Sequence, residues 1–186
     1  MRGTTKICTF AAVLLAAIAF APATDAQCVK FDGLAAGTVW GNSAGHVSGD
    51  FVHAENGIRV FVRFFHFPVG GTFGDATVVP SWFTSPPNSV NTNNINLTFD
   101  FSGLPALPKQ VAVKFRDLGG FENLSINSLP VIVGELSGGA APGLIWTVID
   151  FPVSGGREGK LTVDGRVKSL TLGGQEFWID TLCVTG

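Results

Sequence analysis

The chain has no tyrosine, one methionine and three histidines, and only 14% of its 186 residues are charged. Each scarcity excludes something. Jelly-roll polysaccharide lyases rely on tyrosine, so a lyase is disfavoured. Sugar sites often use the tyrosine hydroxyl, so its absence also weighs against a polysaccharide reader. The histidines, His46, His53 and His66, show no HxH or HExxH spacing. A zinc or copper site would have to be assembled from His53-Ala-Glu55 on one strand face, with His66 arriving from a neighbouring strand. Sandwich glycosidases need two facing carboxylates about 5–9 Å apart. Asp100, Asp117, Glu122 and Glu135 are scattered along the sequence, without an ExDxxE pattern. No serine sits in a nucleophile elbow, and the Gly-rich run 138–143 joins strands without opening a helix, so it is no phosphate loop. Basic residues form no tail or stripe, which argues against nucleic acid.

Cysteine is scarce too, with three in all, but their placement is informative. Arg2 and Lys6 precede an apolar run from Ile7 to Phe20, followed by the small residues Ala23 and Ala26. This is the pattern of a secretory signal peptide over residues 1–26, cleaved after Ala26 or after Ala23. The run is shorter than the roughly 20 residues that span a bilayer. Cys8 would leave with it. Cys28 and Cys183 would then bracket the mature chain and pair in an oxidising compartment, secreted or periplasmic; two free thiols are the alternative. Removing Arg2, Lys6 and Asp25 from twelve basic and fourteen acidic residues leaves ten and thirteen, a net charge near −3. Residues 27–186 are long enough for one domain with a full core. No later apolar run is long enough to span a membrane.

What is abundant is the material of sheets. Valine, isoleucine, threonine and sixteen phenylalanines recur in short runs between Gly, Pro and Asn. Strands are expected at 28–32, 57–67, 76–79, 95–101, 110–117, 123–126, 131–136, 144–151, 160–163, 167–172 and 176–184. Asp164-Gly165 reads as a two-residue hairpin turn and Gly173-Gly174 as a turn into the last strand. Residues 80–94 read as one long surface loop. The expected fold is all-β: a single β-sandwich of jelly-roll type with about ten strands, its terminal strands adjacent and stapled.

Three short stretches carry a resemblance: Phe31-Asp-Gly-Leu34, Asn93-Asn-Ile-Asn-Leu97 and Gly174-Gln-Glu-Phe-Trp-Ile-Asp180. They resemble the secreted jelly-roll domains of the galactose-binding-like and carbohydrate-binding-module type, and similar endings occur in small exported bacterial proteins. The resemblance implies a structural calcium held by an acid near the first strand and one in the last, here Asp32 and Asp180. Calcium takes several hard oxygens, which carboxylates and carbonyls supply. The other reading is that each aspartate caps a turn or pairs with a basic neighbour. Asp75 is a further possible loop ligand.

Within 57–67, strict alternation puts Ile58, Val60, Val62, Phe64 and His66 on one face. Arg59, Phe61, Arg63, Phe65 and Phe67 fall on the other. Rings interleaved with forked donors suit a sugar cleft; equally, such charges pair across strands in solvent. Lys114 and Arg116 point outward from 110–117, and Asp100 outward between Phe99 and Phe101. Trp82 and Phe83 lie in a polar loop, as recognition aromatics or as a lid, and Trp40 lies in a Gly/Ser/Asn stretch. Trp146 and Trp178 read as core. The expected ligand-binding set is therefore Arg59, Phe61, Arg63, Phe65, Trp82, Phe83, Lys114 and Arg116. Three functions follow in order. The first is a non-catalytic module that binds a polysaccharide or cell-surface glycan. The second is an extracellular structural or adhesive protein associating with itself or other surface proteins, which suits a mean hydropathy of +0.36. The third is a metal-dependent hydrolase or oxidase.

Overall fold

The computed structural model describes residues 26–83 and 87–186. The expected signal peptide lies almost wholly outside them. Among the described residues, seventeen strands form three antiparallel sheets: β1 (Gln27–Val29), β2 (Val39–Gly41), β3 (Phe51–Glu55), β4 (Ile58–Arg63), β5 (Phe65–His66), β6 (Gly71–Thr72), β7 (Asp75–Pro80), β8 (Asn88–Asn93), β9 (Ile95–Asp100), β10 (Gln110–Asp117), β11 (Glu122–Ile126), β12 (Ile132–Gly134), β13 (Gly139–Ala141), β14 (Leu144–Val153), β15 (Gly156–Gly165), β16 (Ser169–Gly174) and β17 (Phe177–Thr185). One sheet runs β13-β14-β15-β10-β17-β8-β7-β2, with β1 also on β17; a second runs β12-β11-β16-β9-β4-β3; β5 and β6 form a small hairpin. The count exceeds the ten or so expected, because short strands with few apolar residues leave little signal.

The architecture is that of a β-sandwich. Val111, Val113 and Phe115 of β10 point inward, as do Leu97 and Phe99 of β9, and all are fully buried. They share one core with Leu170, Leu172, Phe177 and Ile179 from the neighbouring strands. Alternation at period two produces this division without further assistance. Lys114 and Arg116 point outward from β10, as expected. Asn56 and Gly57 both have positive φ, 50° and 80°, and form the tight turn from β3 to β4.

The terminal strands are adjacent. Cys28 lies opposite Cys183 in the β1–β17 ladder, and the two form a disulfide across 155 residues of sequence. Among the described residues no helix is long and apolar enough to cross a membrane.

Four expectations about local structure fail. Residues 80–94 are not one loop: β8 occupies their second half and is laid between β7 and β17. Its polar alternation, Asn-Ser-Val-Asn-Thr-Asn, hides the strand, while Ser89 and Thr92 are fully buried. Asp164-Gly165 is the end of β15, which pairs with β14; the chain then crosses to the other sheet to make β16. Gly173-Gly174 lies inside β16, where Cβ atoms would strike Ile95 O at 2.2 Å and Phe177 Cβ at 2.5 Å. The strand expected at 57–67 breaks at Phe64, with the consequence described next.

Candidate functional site

The outer face of the six-stranded sheet is where the ladders assemble a polar and aromatic surface. Because Ile58, Val60 and Val62 are buried in the core, Arg59, Phe61 and Arg63 must point out. Thr98 and Asp100 follow from β9 by the same rule, and Ser169 and Thr171 from β16. The registers align them. Phe51 lies opposite Phe61, Phe61 opposite Thr98, Thr98 opposite Thr171, and Thr171 opposite Ser125. One row thus crosses five strands, from rings at one end to hydroxyls at the other. On one side runs Arg59–Asp100–Ser169; on the other, Arg63–Asn96–Gly173–Asn123.

A groove of about 570 Å³ lies over the first two rows, rimmed by Asn127, Ser128 and Lys168. A second hollow of about 210 Å³ adjoins it and shares Arg63, Thr98 and Thr171. The guanidinium carbons of Arg59 and Arg63 sit 5.6 and 6.0 Å from the Phe61 ring centroid. The Phe51 ring meets Phe61 edge-on at 5.8 Å. Thr98 and Thr171 share a 2.7 Å hydrogen bond on the floor. Arg59 donates to Asp100 and also, at 3.0 Å, to the Ser102 hydroxyl. Burial pushes the Asp100 carboxyl up, but hydrogen bonds from Ser102 and Arg59 outweigh it and hold it below the usual carboxylate range. Asp100 is therefore a permanent anion that fixes Arg59, while Arg63 keeps its donors toward the groove.

The candidate ligand set does not form one site. Phe65 is fully buried, because the alternation slips at Phe64, and it packs edge-on to Phe67 at 5.1 Å. The slip has a side-chain cause. Asn123 accepts from His66 N–H and donates to His66 C=O, while Asn96 donates to Phe64 C=O. Two asparagines thus hold β5 against the sheet in place of ladder bonds. Phe64 and His66 are consequently exposed, where the sequence put them on the core face.

Trp82, Phe83, Lys114 and Arg116 lie on the opposite outer face, on the nine-stranded sheet. Trp82 stacks on Trp178 at 5.4 Å, with Arg116 5.0 Å from its ring centroid. Trp178 is therefore half-buried on the outside, not core. Phe83 is buried, and with Lys114, Phe151 and Glu158 it borders a hollow of about 290 Å³. Trp146 is core as expected, but Trp40 is buried as well, stacked on His53 at 6.0 Å.

Asp180 is buried and Asp32 exposed, close enough to interact. Burial pushes Asp180 up to about 6 against the opposing pull of Lys114, with Asp32 repelling its charge. Its Oδ2 has no hydrogen-bond partner among the described residues. The histidines do not converge: His53 sits beside Glu55 at 3.5 Å, His46 accepts from Gly41 N–H, and His66 lies by Phe64 on the far side. Among the described residues, no three His, Cys, Asp or Glu side chains are grouped to hold a metal ion. Asp75 accepts from Ser43 N–H.

Three of the four scattered carboxylates, Asp117, Glu122 and Glu135, do converge with Asp150, around a cation instead of a substrate. Arg157 contacts Asp117 at 2.8 Å, Asp150 at 2.9 Å, Glu135 at 3.1 Å and Glu122 at 3.4 Å. Burial, then the nearby charge of Asp117, push Glu122 up to about 8. Every carboxylate in this knot already has a protein partner, which marks it as a clasp joining the two sheets.

Sequence reasoning missed Thr98, Thr171, Asn96 and Lys168. The alternation that put Asp100 outward also predicts Asn96 and Thr98 outward, and Leu170 and Leu172 predict Thr171 outward; no pattern marks Lys168. No protein-family profile, no curated protein and no solved structure matches this chain.

Proposed function

We propose that this protein is a secreted, non-catalytic carbohydrate-binding module of jelly-roll type, and that its ligand lies in the groove on the six-stranded sheet. The observation that carries the reading is the single row from Phe51 and Phe61 to Thr98, Thr171 and Ser125, flanked by two arginines. Sugar rings present apolar C–H faces and a rim of hydroxyls. A phenyl ring beside fork-shaped donors and a line of hydroxyls answers both. The disulfide suits an oxidising extracellular or periplasmic setting. A polysaccharide pull-down series tests the reading. Phe61→Ala is expected to weaken binding about tenfold, while Trp82→Ala, on the opposite face, leaves it unchanged. Loss with Trp82→Ala alone would move the site to the other sheet.

A second reading has its own support. β13 pairs with β14 only at Leu144–Trp146, and among the described residues no strand covers that side of β14 from Thr147 to Val153. Ile149 and Phe151 there are 74% and 55% exposed. A bare, apolar edge of this kind favours self-association by strand addition. Light scattering over a concentration series tests it: association that Ile149→Lys abolishes supports it, and a monomer throughout refutes it.

Calcium at Asp32 and Asp180 is a separate proposal, supported by the unpartnered Oδ2 of Asp180. Added calcium should then raise the melting temperature and EDTA lower it, with neither effect in Asp180→Asn.

A further inference from the structure

Resting on the glycan-binding reading of this groove, we propose that the ligand is an anionic polysaccharide, with its carboxylate or sulfate groups held by Arg63 and Lys168. The argument starts from the charges on the groove and its rim. Arg59 and Asp100 neutralise one another. Arg63 and Lys168 have no carboxylate within ion-pair distance among the described residues. The groove therefore carries two uncompensated cations on a chain whose net charge is −2 overall. Solvated surface cations are common, but Arg63 is placed. It lies over Phe61 at 6.0 Å, and it lines both hollows at their junction. Gly49, with φ of 111°, leaves its Nη1 room: a Cβ there would stand 3.3 Å away. Lys168 sits on the opposite rim, beyond the Thr98–Thr171 floor, where its backbone N–H donates to the Asn127 side chain at 2.6 Å. A sugar resting on Phe61 would have a guanidinium at one edge and an ammonium at the other. Fork-shaped and point-charge donors of this kind hold carboxylate and sulfate groups better than neutral hydroxyls. Positive potential focused in a cleft raises local anion concentration although the protein as a whole repels it.

Affinity gel electrophoresis of the disulfide-bonded protein tests this. The gels contain polygalacturonate, its fully methyl-esterified form, dextran sulfate or dextran. The polyanions should retard the protein, with the methyl ester and dextran weaker by about tenfold. Retardation should fade as sodium chloride screens the contacts. Retention by polygalacturonate above dextran sulfate assigns a carboxylate ligand, and the reverse a sulfate. Arg63→Gln and Lys168→Gln should each lose most of this preference, whereas Lys160→Gln, on the other sheet, keeps it. Equal retention by the ester and polygalacturonate, together with equal retention by dextran and dextran sulfate, overturns the anionic assignment and leaves the groove reading intact. No retention by any polymer, with Phe61→Ala indistinguishable from wild type, removes both.

Discussion

Glu122 is the residue whose surroundings ask most of it. It is 1% exposed, accepts from Leu136 N–H and faces both Asp117 and Arg157. Folding raises its proton affinity from 4.5 to about 8. Between those values the folded chain holds a proton that the unfolded chain has released, so stability falls as pH rises through the window. Urea midpoints from pH 5 to 9 should decline for the wild type and run flatter for Glu122→Gln. The glutamine keeps both a donor toward Asp117 and an acceptor, so at pH 7 its stability should stay within about 1 kcal/mol of wild type. Arg157→Met leaves the carboxylates uncompensated and should cost about 3–5 kcal/mol by the same measurement. Nothing in the sequence announced this clasp. Asp117, Glu122, Asp150 and Arg157 come from four strands and Glu135 from just after β12; the pairings of β15 with β10 and β14, of β11 with β12, and the sheet-to-sheet step after β10 bring them together.

At the level of elements, the slip at Phe64 shapes the site's upper end. Asn123 holds both backbone groups of His66 and is fully buried. Asn123→Ala should leave those groups unsatisfied and cost about 1–3 kcal/mol. Limited proteolysis between Phe64 and Thr72 should speed up in that variant, with the sandwich remaining intact. Strand legibility followed apolar content. The 110–117 strand was readable to the residue because Val111, Val113 and Phe115 alternate with polar partners. β8 was not, since its buried Ser89 and Thr92 look like loop residues. The period-two alternation of 57–67 holds as far as Arg63. It failed at Phe64 because asparagine side chains, absent from any period, replace the ladder there.

For the whole molecule, the staple between Cys28 and Cys183 was legible once the signal-peptide pattern set Cys8 aside and left two cysteines at the ends of the remaining chain. A closed loop of 155 residues predicts about 4–5 kcal/mol of stabilisation through the unfolded chain. Cys183→Ser, or reduction by dithiothreitol, should therefore lower the urea midpoint without changing the native fold, as monitored by tryptophan fluorescence. The candidate site was legible only in half. Alternation placed Arg59, Phe61 and Arg63 outward, but periodicity says nothing of which sheet a strand joins. Trp82, Lys114 and Arg116 lie together on the nine-stranded sheet, away from Arg59, Phe61 and Arg63. The strand order decides that, through long-range pairings such as β4 with β9 and β10 with β17.

Gln27 and Val184 stand opposite each other in the first and last strands. From Gln27 to Val184 the backbone therefore nearly closes on itself. A circular permutant, joined by a short linker from Gly186 to Gln27 and opened at Ser154–Gly155, would keep every ladder in both large sheets. It should fold to the same sandwich and match the wild type in the pull-down, which circular dichroism and that assay would report.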